Sequence, residues 1–172
     1  MDEFKKDIIL YTIYIIIGCN ILGFIFSLIS IHFRCLDKFK IQKRKIKART
    51  FYKRLPLIFF NIALLIITSV FGLYFFYELV SFEKSLNEPL IIIVQLFIIL
   101  IIDDIYFYFL HSLMHKNKFI LKKIHSIHHK AITPVALEYI YVHPLEWISG
   151  YIGPFLGMLI IDIFIPINIF SF

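Results

Sequence analysis

Seven histidines occur in this 172-residue chain, and six of them fall between His111 and His143. His111 and His115 are four residues apart. On a helix that spacing puts both imidazoles on one face, one turn apart, where they chelate one metal. His125 precedes His128 by three residues and His129 by four, so on a helix it shares a face with both. Nine residues, Lys116 to Ile124, separate the two groups, with Lys116-Asn117-Lys118 as the natural break for a turn and an antiparallel return. The two histidine faces then converge. Neutral imidazole ligates iron, zinc, copper and nickel. The segment has no cysteine, which disfavours zinc-finger, iron–sulfur and blue-copper sites. It has no H-E-x-x-H, so the zinc-protease pattern fails. An all-histidine set with carboxylates nearby points to iron or zinc carrying oxygen-type ligands. The carboxylates are Asp104, Glu138 and Glu146. Asp104 lies seven residues before His111 on the same helical face, where it would accept the outer N–H of a ligand histidine. His143 precedes Pro144 and either ligates or positions Glu146 and a turn.

The competing reading is a group of packed or solvated interfacial histidines. Five at this spacing beside a membrane end argue against it, because ionisable groups at membrane depth are costly and usually functional. His32 reads as interfacial, and the run Tyr106 to Phe109 reads as wall. A zinc hydrolase is a weaker option, with Glu138 or Glu146 as its general base.

The elements that must position these residues are membrane spans. AVILMFWYC residues make up 60% of the chain, and 17% of residues are charged. Typical soluble domains are about 45–50% apolar. Disordered chains, disulfide scaffolds and ordinary soluble domains are thereby excluded. Ile8 to Ile31 and Leu55 to Tyr77 are uncharged runs of 24 and 23 residues, each enough to cross a bilayer core of ~30 Å. The first is too long for a signal-peptide core and reads as a retained anchor. Pro89 to about Leu110 is a third span whose end carries Asp103 and Asp104. Ile148 to Phe170 is a fourth, broken or bent by Gly150, Gly153, Pro154, Gly157 and Pro166. The two cysteines form no disulfide framework: Cys19 reads as an inert buried thiol and Cys35 as a free one in a basic loop.

Charge sets the orientation. The loop His32 to Arg54 holds ten of the 18 basic residues and one acid, Asp37. By the positive-inside rule it is cytosolic. The termini of the spans then place His111 onward, with Lys116, Lys118, Lys122, Lys123 and Lys130, on the same side. The net charge of +6 serves topology and anionic headgroups, not nucleic acid. The expected fold is all-α: an integral membrane helical bundle with a cytosolic histidine-bearing helical hairpin. Residues 1–102 form the spans with the basic loop 32–54, and residues 103–172 form the chemical segment.

H-S-L-M-H (His111 to His115), H-S-I-H-H (His125 to His129) and V-H-P-L-E (Val142 to Glu146) resemble the fatty acid hydroxylase/sterol desaturase superfamily. D-I-Y-F-Y-F-L-H (Asp104 to His111) and E-Y-I-Y-V-H-P-L-E (Glu138 to Glu146) look closest to its methylsterol oxidase branch. The resemblance covers about Asp103 to Gly157 in detail. It implies a non-haem di-iron centre, O2 activation, and hydroxylation or desaturation of an unactivated lipid C–H. It implies NAD(P)H-derived electrons through a reductase and a cytochrome- or ferredoxin-type protein. Carried onto this chain, the ligands would be His111, His115, His125, His128, His129 and His143. The compartment would be the endoplasmic reticulum in a eukaryote or the inner membrane in a bacterium.

The family pattern continues to a third histidine cluster, whereas no histidine follows His143 here. Two irons need roughly four protein donors each, less what oxygen or water supplies. The expectation is therefore a truncated or split member. Ligands from a second subunit and a mononuclear site are the alternatives. A catalytically inactive relative that binds metal or a partner is the reading from a different functional class.

Overall fold

The computed structural model describes residues 3–33, 37–39, 46–77, 80–81 and 88–168. Cys35, most of the basic loop and the acidic stretch after Tyr77 lie outside the described residues, so the readings placed on them do too. Helix α1 is Glu3–His32, α2 Ala48–Phe76, α3 Pro89–Lys116, α4 Lys118–Lys123, α5 Pro144–Gly150 and α6 Ile152–Asp162. Two 3-10 helices, His125–Lys130 and Ala136–Ile140, lie between α4 and α5. Two two-residue strands, β1 Val80–Ser81 and β2 Ile167–Asn168, pair in parallel.

The first three spans form where the uncharged runs predict. Glu3 in the first turn and His32 in the last complement the dipole of α1. Pro89 opens α3 at its first turn, where its missing N–H costs nothing. α3 runs on past Leu110 to Lys116 and so carries His111 and His115 itself. The fourth stretch is bent. Pro154 has no N–H to offer the carbonyl of Gly150, and the helix breaks at Tyr151 into α5 and α6. Together they form a 19-residue candidate span. Ile15, Phe60, Phe97 and Phe109 are all more than half exposed, an outer face that only a bilayer tolerates. The chain is an integral membrane protein.

The chain divides into two compact units, Met1–Val70 with Phe119–Trp147 and Phe71–Lys118 with Ile148–Phe172.

In the first unit the core is Phe51, Ile58, Leu137 and Ile140. Phe24 of α1 stacks on Phe51 of α2, and His32 Nε2 meets the Tyr52 hydroxyl at 3.0 Å. The irregular segment 136–142 lies along these two helices at the level of their apolar runs. Irregular backbone at that depth needs partners from the protein itself. Leu137 N–H donates to Ser27 Oγ at 2.8 Å, and the Tyr139 hydroxyl donates to Asn20 Oδ1 at 3.1 Å. Asn61 Nδ2 donates to the carbonyls of Ile140 and Val142, both at 2.9 Å. Asn20, Ser27 and Asn61 are the buried polar residues of these helices. Cys19, expected to be buried, is exposed because α1 buries only the stripe bearing Asn20 and Ser27. Asn61→Leu keeps the branched side-chain shape but removes the donor from two buried carbonyls. Its expected cost is about 2 kcal/mol, measured as lowered unfolding stability in detergent.

In the second unit α6 runs antiparallel to α3. Gly157 lies against Ile99, Gly153 against Asp103 and Tyr106, and Gly150 against Phe107. Gly153 and Gly157 form a small-xxx-small stripe that lets the two backbones approach. Ile99, Met158, Ile161 and Ile167 make the core, with Phe155 packed on it. Gln95, a polar residue in the apolar run of α3, donates to Pro166 O and accepts from Asn168 N–H, both at 3.0 Å. That clamp fixes the chain where it leaves α6.

Candidate metal centre

Each unit carries its own histidine group. In the second unit, α3 delivers His111 and His115 from successive turns near its C-terminus. Their rings are 4.7 Å apart between centroids, and Nε2 faces Nε2 at 3.1 Å. The Phe107 ring stands 5.7 Å from that of His111, so this member of the aromatic run is wall beside the pair. The helix stops directly after them. Asn117, in an extended conformation, returns its N–H to Leu113 O at 3.0 Å, at the break the sequence predicts.

In the first unit the expected helical return is a 3-10 helix over His125–Lys130. Three residues per turn eclipse positions i and i+3. His128 accordingly stacks over His125, with ring centroids 5.4 Å apart and planes 26° apart. His129 meets His125 edge-on at 4.6 Å, and their Nε2 atoms are 3.0 Å apart. His125 is fully buried, whereas His128 and His129 are exposed.

Glu146 orients His125. Its Oε1 lies 2.8 Å from His125 Nδ1, with both side chains buried. As the neutral tautomer with its proton on Nδ1, His125 donates this hydrogen bond to the carboxylate and keeps the Nε2 lone pair for a metal. Glu146 itself rides on α5, and His143 starts that helix. His143 Nδ1 accepts the N–H of Leu145 at 3.1 Å. That contact ties His143 to the first turn of α5, the helix that carries Glu146.

The other two candidate carboxylates are placed elsewhere. Glu138 Oε1 takes Arg54 Nη1 at 2.6 Å, and Oε2 accepts Val135 N–H at 3.2 Å. Asp104 is exposed on α3 and makes no hydrogen bond to a histidine among the described residues. Heptad spacing put it on the right face, but α6 lies against Asp103 instead.

These pairs fit a metal. Two imidazole nitrogens bound to one ion at ~2.1 Å in adjacent octahedral positions stand ~3.0 Å apart. The observed separations are 3.1 and 3.0 Å. All-imidazole donors without thiolate suit iron or zinc. Glu146→Gln keeps the shape and an acceptor oxygen but loses the negative charge that raises the basicity of His125. It is expected to weaken metal affinity about 10–100-fold, measured by chelator competition on purified protein.

Sequence reasoning missed Arg54, Asn61, Ser27, Asn20 and Gln95. Their signal was available in part, since a polar residue inside an apolar span demands a partner.

Residues 96–172 match the fatty acid hydroxylase family. Methylsterol monooxygenase 1 of Gallus gallus is 31% identical over 142 residues, covering 80% of this chain and 46% of the relative. Very-long-chain aldehyde decarbonylase GL1-9 of Oryza sativa subsp. indica is 29% identical over 119 residues, covering 67% and 46%. Sphinganine C4-monooxygenase 2 of Arabidopsis thaliana is 46% identical over 52 residues, covering 30% and 20%. The chain spans about half the length of the first two, or less. No solved structure matches it.

Proposed function

We propose, from its likeness to the fatty acid hydroxylase family and to methylsterol monooxygenase 1, that this chain is a member of the fatty acid hydroxylase/sterol desaturase superfamily and a membrane-bound non-haem iron oxygenase acting on a lipid. The reaction is hydroxylation or desaturation of an unactivated C–H in a sterol or fatty acyl chain. The observation that carries the reading is the pair of Nε2···Nε2 separations, 3.1 Å in one unit and 3.0 Å in the other, each the span of two ligands on one ion. His111, His115, His125, His128 and His129 would hold the iron. His143 is the further family position, and here it caps α5. Bound iron would supply the O2-derived oxidant that an aliphatic C–H requires and that side chains lack.

The protein's own residues do the rest. Glu146 holds the proton at His125 Nδ1, so that Nε2 presents its lone pair. His143 starts the helix that aims Glu146. Phe107 gives His111 an apolar neighbour. The exposed apolar faces of the spans keep a lipid substrate within reach from the bilayer. The histidine segment faces the cytosol in this proposal, because both basic clusters lie on its side. An electron-transfer protein of cytochrome or ferredoxin type would deliver NAD(P)H-derived electrons there. Ligands beyond these histidines would come from a second subunit or from chain outside these residues. The membrane is the endoplasmic reticulum in a eukaryote and the inner membrane in a bacterium.

The test is elemental mass spectrometry on detergent-purified protein, followed by lipid turnover with and without O2. Iron above zinc, and product formed only with O2, is the expected result. Zinc with O2-independent turnover would point to a hydrolase. Metal without turnover under either condition would favour a non-catalytic metal- or partner-binding role.

A further inference from the structure

Arg54 is one of ten basic residues in the loop that sets the topology. Unlike exposed Lys47, Arg49 and Lys53, it is nearly buried, with 11% of its side chain accessible. Its guanidinium makes three contacts along one stretch of chain. Nη2 donates to the Lys130 carbonyl at 2.6 Å. Nη1 donates to Glu138 Oε1 at 2.6 Å, and that carboxylate is fully buried. The guanidinium carbon lies 4.8 Å over the Tyr141 ring.

Lys130 is the last residue of the 3-10 helix and the neighbour of His129. A six-residue 3-10 helix is a weak element with poor hydrogen-bond geometry. Its final carbonyls have no partner within the helix. Inside this turn, Ala131 N–H returns to His128 O at 3.1 Å, and Arg54 takes the Lys130 carbonyl from outside. His125 has a second restraint in Glu146. His129 is exposed and follows the backbone whose end Arg54 holds.

We propose that Arg54 is a positioning residue for the metal centre. Its planar fork on α2 ties down the C-terminal end of the histidine-bearing 3-10 helix and so fixes where His129 presents Nε2. Glu138 keeps the fork aimed. The inference rests on the iron reading above. Lysine carries the charge but not the fork, so Arg54→Lys preserves an ion pair with Glu138 and loses the simultaneous bond to Lys130 O.

The experiment uses the full chain in detergent and compares wild type, Arg54→Lys and Glu138→Gln. Bound iron is read under chelator competition, together with unfolding temperature and amide exchange over residues 125–131. In Arg54→Lys, iron retention is expected to fall about 10-fold. Exchange at Ala131 should accelerate while the unfolding temperature stays near that of wild type. Glu138→Gln, which retains an acceptor for Nη1, should keep most of its iron. If wild type and Arg54→Lys bind iron equally, or if iron loss merely tracks unfolding, the positioning role is overturned. A wild-type chain that takes up no iron overturns the metal reading itself, and the role of Arg54 with it.

Discussion

His125→Ala is expected to leave a chain that loses the metal held by the His125–His129 pair, forms no oxidised lipid, and unfolds about 3–5 kcal/mol more easily. The two losses have separate causes. His125 Nε2 is half of the 3.0 Å pair with His129, so its removal dissolves that pair. The loss of turnover should exceed the roughly 10–100-fold typical of removing an outer partner of a ligand. The stability cost comes from the other ring nitrogen. His125 is fully buried, and its Nδ1 partners the nearly buried Glu146 carboxylate. Truncation takes the imidazole from a carboxylate that has little water to turn to. His128→Ala separates the two effects. Its ring is exposed and stacked on His125, so alanine there should abolish turnover and leave stability within about 0.5 kcal/mol of wild type. Metal content and denaturant midpoints on the same preparations check both. Equal destabilisation by the two variants would refute the assignment of Glu146 to His125.

Gly157→Leu should be the most damaging change away from the histidines. A Cβ at position 157 would meet Ile99 Cα at 3.0 Å and Ile99 O at 3.2 Å, both backbone atoms. Backbone cannot swing aside as a side chain does, so α6 must move off α3. The expected cost is about 3 kcal/mol, and the Ile99–Met158–Ile161 contact loosens with it. Gly18→Leu is the control, because a Cβ there meets nothing within 4 Å on the lipid-facing side of α1. It should be neutral or slightly stabilising, since leucine favours helix over glycine. Unfolding of the two variants in mixed micelles measures the difference. Gly72 is an intermediate case. Its close neighbour is the Phe155 ring, which is also stacked on Phe76, so the ring has only limited room to yield.

By itself the sequence determined the spans and the bend in the fourth, and it singled out the histidines proposed as metal donors. Uncharged runs longer than a bilayer is thick must be helices, because lipid offers the backbone no hydrogen bonds. Pro154 and Asn117 mark breaks through local chemistry that any context would respect. The i,i+4 spacing of His111 and His115 survives as a 3.1 Å pair because α3 continues through both. Only the tertiary structure decided which carboxylate serves which histidine. Asp104 and Glu146 looked alike in the sequence, yet Glu146 reaches His125 across 21 residues and Glu138 is held by Arg54 across 84. Only the structure turned the second histidine group into a 3-10 helix, or gave Ser27 and Asn61 the backbone of a segment 110 and 79 residues away. Burial in lipid is a free energy each residue carries largely alone, so it can be read position by position. A buried hydrogen bond belongs to two groups at once, and its partner is chosen by the packing of the whole chain.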